Sequence, residues 1–195
     1  MARNKIDFNR DLEEATCGNP QMKYTWNQYH KYIEEAIDGY AMYIDLHGQS
    51  HPVKRLELGY FLSTTALKEV QESSETSSEL GAKTSVKNLL ENNNQLTLKE
   101  LLMGENAFGT LMEKSGFPAV PSLGDPYPQK GEPYFNGGYN TRRYTSSDYP
   151  KVFDMQMETN FQGVRDSEEN RKKFSKAFAQ SVTSYLDFIK SKWDY

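Results

Sequence analysis

Apolar side chains recur at three- and four-residue steps between Pro20 and Ile37. Met22, Trp26, Tyr29, Ile33 and Ile37 share one face, which predicts an amphipathic helix. Asn19 before Pro20 supplies an N-cap followed by proline at the first helical position, and Gly39 stops the stripe. The pattern then changes to a β-leaning run from Tyr40 to Leu46, read as a buried strand that ends abruptly at His47-Gly48-Gln49-Ser50-His51-Pro52. Leu56–Ser63 predicts a second strand with Gly59 as a bulge. From Glu69 to Ala82 the chain is rich in Ser, Thr and Glu and reads as a solvated helix end plus loop. Short helices are expected over about Ser85–Leu90, Thr97–Met103 with Thr97 as cap, and Asn106–Lys114, which closes at Gly116.

Between Pro118 and Pro150 the pattern breaks. Prolines, glycines and tyrosines crowd this stretch and predict one long ordered loop, of the kind that carries function. In Val152–Glu158, Val152, Asp154, Gln156 and Glu158 alternate with Phe153, Met155 and Met157, as in a strand. The last helix runs from about Ser167 to Ser191 behind a cap at Asp166 or Ser167, with Phe174, Phe178, Val182, Tyr185 and Ile189 on one face. The order of helix, strand, strand, short helices, long loop, strand and helix predicts an α/β fold, with few strands for a sheet.

Composition narrows the function. The chain has 195 residues, 23 basic and 27 acidic, for a net charge of −4, which excludes a nucleic-acid reader working by bulk attraction to phosphate. Only 36% of residues are hydrophobic and 13% are aromatic, so the core must lean on Phe and Tyr. One cysteine, Cys17, leaves no internal disulfide and no Cys-based zinc knuckle. No apolar run is long enough to span a membrane, and Met1-Ala2-Arg3-Asn4-Lys5 lacks the core of a signal peptide, so a cytoplasmic location without a membrane partner is expected. With three histidines, any metal site must draw on few ligands.

Four constellations have candidate chemistry. His47 follows a buried strand, where open α/β sheets place their ligands, and Asp45 shares its face; it is either an exposed loop histidine or a metal ligand supported by Asp45. His51 reads as a residue of the same pocket, whereas His30, beside the helical stripe, reads as structural. Glu158 ends a strand and is either a solvated carboxylate or a general base. Arg3, Asp7, Asn9 and Arg10 form either a charged arm or a grip for a carboxylate, because guanidinium recognises carboxylates bidentately. In Gly137-Gly138-Tyr139-Asn140-Thr141-Arg142-Arg143-Tyr144 the glycines permit a sharp turn from which Tyr139 can swing as a lid.

Taken in order, Arg3-Asn4-Lys5-Ile6-Asp7-Phe8-Asn9-Arg10, Ile44-Asp45-Leu46-His47-Gly48, Gly137-Gly138-Tyr139-Asn140-Thr141 and Met155-Gln156-Met157-Glu158 resemble the N-formylglutamate amidohydrolase-like family, which is similar in fold and site to zinc carboxypeptidases. The resemblance implies a mixed sheet flanked by helices in a single, partial domain over 1–195, with a helical insertion at 64–116, an active-site loop at 117–150 and the first strands lacking. It implies a zinc ion held by an upstream His-x-x-Glu-like pair and by His47. It further implies a substrate carboxylate held by Asn9 and Arg10, with Tyr139 and Arg142 as substrate contacts. Arg3 would polarise the carbonyl, and Glu158 would activate the water and pass its proton to the leaving amine. No His-x-x-Glu occurs in the chain, so the zinc ligand set is incomplete. The expectation is a zinc-dependent amide hydrolase acting on a small or peptide-like molecule with a free carboxylate, inactive as this chain alone. The alternatives are a non-catalytic carboxylate-binding module and a fragment of such an enzyme.

Overall fold

The computed structural model describes residues 6–73 and 78–193; Arg3 lies outside them. In chain order the elements are α1 (Leu12–Thr16), α2 (Pro20–Ala36), β1 (Ala41–Gly48), β2 (Leu56–Gly59), α3 (Thr64–Glu72), α4 (Ser78–Lys83), α5 (Lys87–Asn92), α6 (Leu98–Met103), α7 (Phe108–Lys114), β3 (Ala119–Val120), α8 (Tyr139–Tyr144), β4 (Val152–Thr159) and α9 (Glu168–Ser191). Most helix starts follow from local chemistry. Asn19 Oδ1 accepts from the backbone N–H groups of Gln21 and Met22 at the start of α2. Thr97 and Glu100 form a reciprocal capping box on α6, and Ser167 caps α9.

The sheet order is β1-β4-β2-β3. Strands β1 and β4 are parallel, β2 is antiparallel to β4, and β3 runs parallel to β2. The protein is therefore α/β, a four-stranded mixed sheet flanked by helices. Among the described residues, no helix is long and apolar enough to cross a membrane.

Three expectations change. The stretch Pro118–Pro150 is not one loop, because it contains β3 and α8. Two residues show no alternation and six show no helical stripe; both elements are held by tertiary burial, of Ala119 and Val120 in one and of Asn140, Thr141 and Tyr144 in the other. Strand β2 ends at Gly59 instead of bulging there. Gly59 pairs with Gln156, and a Cβ on it would lie 2.6 Å from the backbone at Asn136–Gly137, so the glycine marks where the long loop rests on the strand. The polar Glu69–Ala82 region is mostly helical, in α3 and α4, with Leu67 and Val70 of α3 carrying its buried face.

The two faces of the sheet differ because side chains alternate along each strand. On one face Phe153, Met155 and Met157 of β4 join Leu56 and Leu58 of β2 in the principal core. The helices between residues 64 and 116 supply Leu67, Leu89, Leu101 and Phe108 to that same core, and α9 closes it with Ala177, Tyr185 and Ile189. On the other face stand Asp45 and His47 of β1, Asp154, Gln156 and Glu158 of β4, and Glu57 of β2. A smaller apolar cluster of Ile6, Ala15 and Trp26, with Phe8, Leu12, Met22 and Tyr139 against it, ties the N-terminal segment to α2 and α8.

Arg55 holds the long loop to β2. Its buried guanidinium makes ion pairs of 2.8 Å each with Asp125 and Glu132, and Tyr134 Oη donates to the carbonyl of Leu58 at 2.5 Å. Arg55→Ala leaves two neighbouring carboxylates without their shared cation. A loss of about 2–4 kcal/mol is expected in denaturant unfolding, with a smaller loss for Arg55→Lys, which keeps the charge but not the fork.

Candidate functional site

The register of the sheet assembles the polar face. His47 is opposite Glu158 across the parallel pair, and Glu57 is opposite Glu158 across the antiparallel pair, so these three stand in a row across three strands. One residue pair deeper, Asp45 is opposite Gln156 and Gly59 completes that row. The row lies at the C-terminal ends of β1 and β4, the usual ligand edge of an open α/β sheet. A cleft of about 500 Å³ opens over it, lined by Asp7, Asn9 and Arg10 from the N-terminal segment, by the chain from His47 to His51, and by Phe135, Gly137, Gly138, Gln156 and Glu158.

His47 Nε2 lies 2.9 Å from Asp45 Oδ2 and 3.2 Å from Asn9 Nδ2. The two side chains that share this strand face are thus in contact. Asn9 is itself held on two sides: its backbone N–H donates to Asp7 Oδ1, and its Oδ1 accepts from the backbone N–H of Asn140 at the start of α8. Gly138 permits this approach, because a Cβ there would meet Asn9 Nδ2 at 2.5 Å and Gln156 Oε1 at 2.7 Å. Glu158, only 5% exposed, accepts from Gln156 Nε2 at 2.8 Å. Arg10 is exposed at the rim, where Asp7 at 3.4 Å and Glu14 at 3.2 Å accompany its guanidinium; the hydrogen bond to Glu14 and the charges of both carboxylates hold it protonated more firmly than an isolated arginine.

Tyr139 and Arg142 are not brought into this cleft. They line a separate pocket of about 290 Å³ with Arg143, Ser146, Asp148 and Tyr149. Tyr139 is the first residue of α8, its ring 6.3 Å from that of Trp26, so it is packed against the small cluster instead of hanging free as a lid. Arg142 is exposed, its guanidinium 5.7 Å from the Phe61 ring. His30 has the structural place expected of it. It is buried between Trp26 and Tyr144, with Nδ1 hydrogen-bonded to Tyr144 Oη at 2.6 Å.

The residues that sequence reasoning passed over are Gln156, Gln49 and Phe135. Gln156 shares the strand parity of Glu158, which was a readable signal. Gln49 donates from Nε2 to the carbonyl of Arg55 and Phe135 donates from its backbone to Glu57, and neither pairing has a local signature. Below the site, burial first and the charge of Asp45 second push the Asp154 carboxyl well above its usual range.

Among the described residues, no three His, Cys, Asp or Glu side chains form a group that could hold a metal ion. His47, the one ligand the resemblance places in the chain, has its Nε2 closed in by Asp45 and Asn9. The donor set does not fit a zinc ion bound by three protein ligands.

Burial, reinforced by the positive charge of Arg143, lowers the pKa of His30 to about 4 from 6.5. The folded state therefore binds fewer protons than the unfolded state between these values. The stabilisation is complete above pH 6.5 and is lost as the pH falls toward 4. Across that interval the stability advantage of the wild type over His30→Gln is expected to shrink, as measured by urea unfolding at fixed ionic strength.

No family model, no curated protein and no solved structure matches this chain.

Proposed function

We propose that the cleft binds a small, carboxylate-bearing amide and hydrolyses its C–N bond, in the manner of the N-formylglutamate amidohydrolase-like family and on a zinc-carboxypeptidase-like sheet. The observation that carries this reading is the convergence of Asn9, Arg10, His47 and Glu158 on one cleft, from segments far apart in the chain. Arg10, whose guanidinium is shared with Asp7 and Glu14 at the rim, supplies the cation that a substrate carboxylate would meet, and Asn9 fixes the inner wall beside His47. Glu158, shielded from water and held by Gln156, takes the proton of the attacking water as its oxygen bonds to the carbonyl carbon. The products are a carboxylate and an amine. A cytoplasmic setting belongs to the same proposal.

A second reading is favoured by the absence of a three-donor metal group among the described residues: the cleft holds the carboxylate and does not turn it over. Calorimetric titration with N-formyl-L-glutamate, beside an assay for released amine, separates the two. The expected result is binding with turnover, Glu158→Gln lowering kcat about 100-fold or more while Kd stays within about threefold. Arg10→Gln weakens binding about tenfold. Binding without turnover, in chelator and with added zinc alike, selects the non-catalytic module; no binding overturns both readings.

A further inference from the structure

His51 and Glu57 have no part in the chemistry described so far, yet the fold makes them a pair. Glu57 is fully buried on β2, directly across from Glu158. Such a carboxylate is costly to bury unless each oxygen has a partner. Both oxygens have one: Oε1 accepts from His51 Nδ1 at 2.7 Å and Oε2 accepts from the backbone N–H of Phe135 at 2.9 Å. His51 is fixed on its other sides as well. Its ring stacks on Phe135 with centroids 4.7 Å apart and planes 14° apart, and its backbone N–H donates to Gln49 Oε1. The imidazole still lines the cleft with His47 and Glu158, its side chain 22% exposed.

An imidazole whose Nδ1–H is bound by a buried carboxylate is held in one tautomer and one orientation, and exchanges protons through Nε2. The same carboxylate compensates the imidazolium when the ring is doubly protonated. Other charged groups near this wall are Asp7 and Arg10 at the rim, Asp45 behind His47, Lys54, which donates to the His51 carbonyl, and Arg165, which donates to the Gln49 carbonyl.

We propose that His51 is the acid that protonates the leaving nitrogen, with Glu57 as its positioning residue; this rests on the amide-hydrolysis reading above. Water gives one proton to Glu158 as its oxygen adds to the carbonyl carbon. When the C–N bond breaks, the nitrogen takes the proton from His51 Nε2, and the proton held by Glu158 returns to His51 through solvent. The sum is water added across the bond. The two proton transfers are thereby divided between Glu158 and His51, instead of both resting on a glutamate anchored to the central strand.

The test uses the whole chain and its three histidines, whose side-chain ¹⁵N resonances are assigned from single His→Gln variants. In the free protein His51 is expected to show a protonated Nδ1, and this signature is lost in Glu57→Gln. Added N-formyl-L-glutamate is expected to shift His51 Nε2 and His47 and to leave His30 in place. If His47 shifts and His51 does not, the assignment of His51 is overturned while the cleft reading stands; if neither shifts, both fall. In the kinetic arm, His51→Gln is expected to lower kcat about 100-fold for the amide and less than about fivefold for the corresponding activated aryl ester, whose leaving group needs no proton. Equal losses on the two substrates would show a merely structural role and overturn the proposal. Glu57→Gln is expected to follow the same split more weakly.

Discussion

The pairing of β4 with both of its neighbours is the constraint on which the rest of this protein depends. β4 is buried on both faces, with methionines and a phenylalanine on one and carboxyl and amide groups on the other. A slip of one residue would turn Glu158 into the principal core and Met157 into the cleft. The apolar face therefore sets the register, and the register places His47, Glu158 and Glu57 side by side. Packing and site geometry are one decision here.

A polar sheet face must be satisfied by what covers it, and this accounts for the unusual covering. The N-terminal segment brings Asn9 to His47, α8 brings the backbone of Asn140 to Asn9, and the long loop brings the backbone of Phe135 to Glu57. Each contact comes from a segment remote in sequence, and each is anchored away from the cleft. Trp26 donates to the carbonyl of Arg10, Arg143 pairs with Glu34 at 2.7 Å, and Arg55 clamps Asp125 and Glu132. The glycines of the site serve the same close packing. At Gly48 a Cβ would lie 2.5 Å from the Arg165 guanidinium, whose Nη2 donates to the carbonyl of Gln49 and so steadies the turn between His47 and His51.

Electrostatics follows from the same arrangement. Burial first and the nearby charge of Asp45 second raise the proton affinity of the deeper acid, Asp154, while the shallower Asp45 faces His47. On the far side of the wall, burial keeps His30 neutral against Tyr144.

Local chemistry was enough to determine α2, α6 and α9 with their caps, the alternation of β4, and the candidacy of His47, Glu158, Asn9 and Arg10. Each is written within a few residues, as a helical stripe, a capping side chain or a two-residue period. Only the tertiary structure decided the rest. β3 and α8 are too short to have a period of their own and exist because burial holds them. Tyr139 reads as a lid from its glycines but is drawn into an apolar cluster by Trp26. His51 reads from the sequence as a residue of the His47 pocket, but its partner, Glu57 on β2, is shown only where the carboxylate closes on its Nδ1. Pairings across strands and loops depend on register and on where chain segments cross, and no local pattern encodes those.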